Sequence, residues 1–156
     1  MPILKLPINI DKKSVLRYLG HKDEKKLPSR VEEEVNTSII EAQQLINAKV
    51  CYDYFNFTID EANRIIFSRD VFFIGDDVVK KLKKADHLVI AILTLGDGID
   101  KKSIELFSQG NYLKGMTYNS IGCAVLDDLR KTFRCKLKEE LRPSTRNITK
   151  SYSPGN

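Results

Sequence analysis

The sequence predicts an α+β domain in which helices pack on a mostly antiparallel or mixed sheet. Three features carry that prediction. Segments rich in aromatic and β-branched residues, notably 49–58 and 87–93, read as strands. Between them, apolar residues recur at helical spacing from Val31 to Ile46. Near the end, Val125, Leu129, Phe133, Leu137 and Leu141 repeat every four residues, the mark of one long helix.

In chain order, Asp11 is placed to cap a short helix bearing Val15, Leu16 and Leu19, with Gly20 ending it. The polar stretch from His21 to Leu27 reads as a loop. Ser29 and Glu32 have capping-box spacing. The helix they open carries Val31, Val35, Ile39, Ala42, Leu45 and Ile46 through about Ala48. Glu32, Glu33 and Glu34 fall in its first turn, where the helix dipole favours negative charge, so the acidic run needs no catalytic role. Lys49 to Thr58 forms the first long strand, and Arg64–Phe67 and Val71–Ile74 follow as shorter ones. Gly75 and Asp76 begin a helix containing Val78, Val79 and Leu82.

His87 to Leu93 is almost wholly apolar and predicts a central strand covered on both faces. Thr94-Leu95-Gly96-Asp97-Gly98 turns the chain into a helix running from about Ile99 to Ser108. The long helix begins near Asn111 and is stopped by Pro143. Gly115 and Gly122, seven residues apart on one face, each cost about 1 kcal/mol relative to Ala in a helix interior. Close approach of a neighbouring helix or strand would account for that cost, with local flexibility as the alternative. Asn147 to Tyr152 reads as a last extended piece before Ser153-Pro154-Gly155.

Composition sets the outer limits. The 156 residues suit a single domain spanning 1–156 that buries its own core. An apolar fraction of 42% and a charged fraction of 30% are ordinary for a globular protein. The longest apolar run, Leu88 to Leu95, is too short to cross a bilayer, and Met1-Pro2-Ile3 does not begin a secretory signal. The expected location is the cytoplasm, with no membrane partner. Cys51, Cys123 and Cys135 read as buried, reduced thiols.

Charge is divided unevenly. Residues 1–78 hold 11 Lys and Arg against 13 Asp and Glu, whereas residues 79–156 hold 15 against 8. A solvated surface accounts for most of that bias, and a basic half also suits an acidic partner. No aromatic residues interleave with the basic ones, so nucleic acid is a poor candidate.

Few residues suggest chemistry. His21 and His87 lack metal-ligand spacing and have no cysteine pair nearby. Gly96-Asp97-Gly98 is not a dinucleotide fingerprint, because Lys101 occupies the third glycine position. A glycine turn feeding a helix still offers backbone N–H groups to an anion. Asp76-Asp77 and Asp127-Asp128 read as a helix cap and a solvated face.

The order of these segments resembles the activation (reactivation) domain of cobalamin-dependent methionine synthase. Val15-Leu16-Arg17-Tyr18-Leu19-Gly20 is similar to that family's L-R-Y-L-G segment. Ile92-Leu93-Thr94-Leu95-Gly96 resembles its A-x-T-L-G, and Ser120-Ile121-Gly122 its A-I-G helix. Ser153-Pro154-Gly155 is similar to its terminal S-P-G. The resemblance implies a role in reductive remethylation, with S-adenosylmethionine as ligand and cobalamin carried by a partner methyltransferase subunit. It further implies a flavodoxin-like electron donor. Thr94, Leu95, Gly96, Asp97, Ser151, Ser153, Pro154, Gly155 and Asn156 are its implied ligand-binding residues. Ser151 and Asn156 stand where the family carries arginine and tyrosine. The alternative is a non-catalytic adaptor of the same fold that binds a corrinoid methyltransferase without S-adenosylmethionine.

Overall fold

The computed structural model of the protein describes residues 3–21, 27–68, 71–144 and 147–153. The order is β1 (Ile3–Leu4), α1 (Lys12–Tyr18), α2 (Ser29–Ala42), β2 (Lys49–Phe55), β3 (Thr58–Ile59), β4 (Arg64–Ser68), β5 (Val71–Ile74), α3 (Asp76–Leu82), β6 (Leu88–Thr94), α4 (Gly98–Ser108) and α5 (Tyr112–Leu141). A 3₁₀ turn, Arg142–Ser144, closes α5 at Pro143. The architecture is α+β. Two three-stranded sheets, ordered β1-β2-β6 and β3-β4-β5, are antiparallel throughout.

The 30-residue helix α5 organises the molecule. Of its four-residue line Val125, Leu129, Phe133 and Leu137 are buried, as is Ile121 one turn earlier, whereas Leu141 at the helix end is only half-buried. The upper part joins Val15, Leu16, Val35, Ala42, Ile99, Leu106 and Tyr118 in an all-helical cluster. The lower part lies across the first sheet, where Leu129, Phe133 and Leu137 pack on Val50 and Tyr52 of β2. A third, smaller cluster of Ile65, Val79 and Leu82 holds α3 against the second sheet.

Both α5 glycines face α4. A Cβ on Gly115 would lie 3.1 Å from the Phe107 ring, and one on Gly122 would lie 3.2 Å from Ile99 Cγ2. The expected close approach is therefore present. α1 is capped by Asp11, whose Oδ2 accepts from the Ser14 amide at 3.0 Å.

Several expectations need correction. β6 is an edge strand of its sheet, not a central one, because the short β1 pairs with the far side of β2. Its inward residues Val89, Ala91 and Leu93 meet the α5 cluster. The opposite sheet face carries the cross-strand row Ile3, Cys51 and Ile92. There Ile3 is 67% and Ile92 64% exposed, so apolarity on both sides of β6 does not reflect two-sided cover.

Cys123 and Cys135 are exposed rather than buried, and Cys51 is half-buried. Each of the first two lies two residues from a member of the buried line. At about 100° per residue that places them on the outward side of α5. α2 ends at Ala42 instead of near Ala48. The apolar period outlasts the helix because Leu45 and Ile46 reach the same core from the following turn. Ser29 is already helical, and the capping position is Pro28 with no side-chain cap. Likewise Gly75, not Asp76, precedes α3 as its uncapped N-terminus. The strand beginning at Lys49 stops at Phe55, and residues 147–152 form no strand.

Among the described residues no helix is long and apolar enough to cross a membrane.

Candidate functional site

The turn after β6 is fixed from below by the chain linking α2 to β2. Leu95 O accepts from the Asn47 amide at 2.8 Å. Gly96 adopts φ +79°, a left-handed conformation that favours glycine. Its amide donates to the Thr94 hydroxyl at 3.1 Å. At Gly98 the approach is closest of all: a Cβ there would sit 2.5 Å from the Leu45 carbonyl oxygen. No side chain fits in that space.

Asp97 stands at the N-cap of α4 without capping it. Its carboxylate instead meets Lys101 Nζ at 2.6 Å, with both side chains largely exposed. Hydrogen bonding and attraction from that ammonium hold Asp97 below the ordinary carboxylate range. With the Gly96 N–H engaged by Thr94, the turn's capacity for an anion lies at the uncapped start of α4.

The tail runs back along α5. Ile148 packs on the Leu129–Phe133–Leu137 cluster. Arg134 Nη1 donates to Thr149 O at 2.6 Å, so a guanidinium holds the tail backbone in place. Further on, the Lys81 ammonium lies 4.8 Å from the centre of the Tyr152 ring. Ser151 and Ser153 are exposed. Pro154, Gly155 and Asn156 lie outside the described residues.

Where tail and helix meet, Arg130, Lys131, Arg134, Lys150 and Ser151 line an open cleft of about 270 Å³. Among the described residues, Ser151 is the one implied ligand-binding residue found there. Thr94, Leu95, Gly96 and Asp97 form their own turn and do not line this cleft. Sequence reasoning missed the cluster, although Arg130 and Arg134 at i,i+4 spacing signal a shared helix face. Nothing local marks the return of Lys150 to that face after Pro143.

The second acidic pair is structural, not simply solvated. Asp127 accepts from the Tyr18 hydroxyl at 2.6 Å and Asp128 from the Asn9 amide at 2.8 Å. Together they attach the N-terminal region to α5. Glu140 plays a similar part at the other end, accepting from Tyr52 and Tyr54, each at 3.1 Å. The buried Tyr118 hydroxyl donates to Glu41 at 2.6 Å, and Lys114 pairs with the same carboxylate at 2.9 Å. These contacts, the tyrosine's first, lower the Glu41 pKa. His87 Nδ1 lies 2.9 Å from Asn56 Oδ1. No group of three or more His, Cys, Asp or Glu side chains among the described residues could hold a metal ion.

No protein-family model matches this chain, and no curated protein matches it.

Proposed function

We propose that the chain is a stand-alone activation-domain-like subunit of a cobalamin-dependent methionine synthase, working in the cytoplasm. It supports reductive remethylation of the corrinoid with S-adenosylmethionine. In this reading S-adenosylmethionine supplies the methyl group, a flavodoxin-like donor the electron, and cobalamin on a methyltransferase subunit the difficult chemistry. The chain's own residues bind and position, so none is assigned as acid, base or nucleophile.

One observation supports the reading beyond the resemblance itself. Three segments that carry the likeness, far apart in sequence, contribute to one apolar cluster. Val15 and Leu16 of the first segment and Ile121 of the third are buried in it, and Leu95 of the second packs against it. Ile99, just beyond that second segment, lies so close to Gly122 of the third that a Cβ there would come within 3.2 Å of it. Segments that form one core constrain each other's sequence, which gives their joint occurrence more weight than any one alone.

The adaptor reading stays as the alternative because of Ser151. A serine hydroxyl cannot grip a carboxylate bidentately as a guanidinium does. Calorimetric titration of S-adenosylmethionine into the purified chain decides between them. Saturable binding at micromolar concentration is expected under the first reading. If neither the chain nor its Ser151→Arg/Asn156→Tyr variant gives any heat of binding, the adaptor takes first place.

A further inference from the structure

Among the described residues, the cleft between the tail and α5 is lined by four cationic side chains and one hydroxyl, with no carboxylate. Two of the cations have structural partners. Arg134 clamps the tail through Thr149 O at 2.6 Å, and Arg130 Nη2 reaches Asp127 Oδ1 at 3.3 Å. Lys131 and Lys150 are exposed and make no ion pair among the described residues. Like charges brought into one cleft repel, and a bound anion reverses the sign of that interaction.

The lining chemistry narrows the anion. Among the described residues no aromatic side chain lines the cleft, so they offer no platform for stacking a base, and its apolar surface comes from the stems of the charged side chains. Recognition must rest on the charged group itself. A carboxylate offers one negative charge in a plane. A phosphate monoester offers nearly two, with three acceptor oxygens arranged for donors from several directions. The five donor side chains here come from two chain segments and include two point-charge ammoniums and two guanidiniums, a set suited to that tetrahedral group.

We propose that the cleft formed by Arg130, Lys131, Arg134, Lys150 and Ser151 binds a small molecule through its phosphate group. The cleft shares Ser151 with the S-adenosylmethionine reading but rests on Lys131 and Lys150, which that reading does not use, so failure of one titration leaves the other standing.

The test uses the full chain and inorganic phosphate, followed by backbone amide NMR at constant ionic strength set with chloride. Saturable shifts confined to residues 130–134 and 149–152 are expected. In a Lys131→Gln/Lys150→Gln variant the affinity should fall at least tenfold while the melting temperature stays unchanged. A Lys131→Arg/Lys150→Arg variant should keep the binding, because charge and donors remain. Affinity should rise between about pH 6 and pH 8 as inorganic phosphate gains its second charge, which it does roughly one unit above the value of about 6 for a monoester. Three outcomes overturn the proposal: shifts that never saturate, equal affinity in the Gln variant, or saturable binding of only poly-glutamate or a single-stranded oligonucleotide.

Discussion

Single atoms decide two positions. Gly98 begins α4 directly above the Leu45 carbonyl, and a Cβ there would come within 2.5 Å of that backbone oxygen. Backbone cannot swing aside as a side-chain tip can, so Gly98→Ala should destabilise by about 1–3 kcal/mol, the usual range for overpacking. Alanine's better helix propensity, about 1 kcal/mol, would not offset it. Urea melts measure the difference, and an unchanged midpoint would show that the turn sits farther from Asn47 and Leu45. Phe133 is the opposite case. It is buried between α5 and β2, with its ring centroid 5.0 Å from that of Tyr52. Phe133→Ala should cost about 3–5 kcal/mol. A loss under about 1 kcal/mol, outside the range for large-to-small core changes, would mean that the site collapses or is solvated. The sequence spoke clearly at Phe133, through its four-residue spacing. It was silent at Gly98, because the Leu45 carbonyl is 53 positions away and carries no side-chain signal.

At the scale of elements, the contact of β2 with α5 contains its own pH dependence. Tyr52 and Tyr54 both donate to Glu140. Desolvation first, then that carboxylate, raises both phenols, Tyr54 from 10 to about 12. A raised folded-state pKa favours the neutral phenol in the native state. Its stabilising effect is complete below pH 10, the unfolded value, and is lost as pH rises toward about 12. Alkaline titration of tyrosinate absorbance should therefore show phenols ionising above the ordinary range, with stability declining between those two values. A Glu140→Gln variant should shift that ionisation downward. If the wild-type and Gln curves coincide, Glu140 does not reach the tyrosines. The hydrogen bonds of Asp127, Asp128 and Glu140 were not visible in sequence, since acidic residues on a helix surface look alike until a donor is brought to them.

Across the whole molecule, the charge bias of residues 79–156 matters for association rather than for folding. Exposed Lys136 and Lys138 on α5 add to it without entering the phosphate cleft. If a corrinoid methyltransferase or flavodoxin-like donor docks on this half, binding should weaken as salt rises, since the Debye length is about 8 Å at physiological ionic strength. Lys136→Glu/Lys138→Glu should lower the association rate constant and leave dissociation nearly unchanged. Surface plasmon resonance against each partner at several salt concentrations reads both constants. An association rate indifferent to salt and to the reversals would remove this face from the docking argument.

By itself the sequence determined the class of fold, the long helix and its buried line, and the glycines where α4 comes close. These are local: periodicity and backbone permissiveness are written along a segment and need no partner to be read. Tertiary structure alone decided which strand is central, which face of the first sheet leaves Ile3 and Ile92 exposed, and which charged residues share a cleft. β6 has the composition of an inner strand, yet Ile3 and Leu4 pair with β2 on its other side and leave β6 at the edge. Lys150 becomes a neighbour of Arg130, Lys131 and Arg134 only because the chain reverses after Pro143 and Arg134 holds the returning backbone. Such neighbourhoods arise from pairings across the chain, where no spacing rule applies and the partner's identity is set by packing.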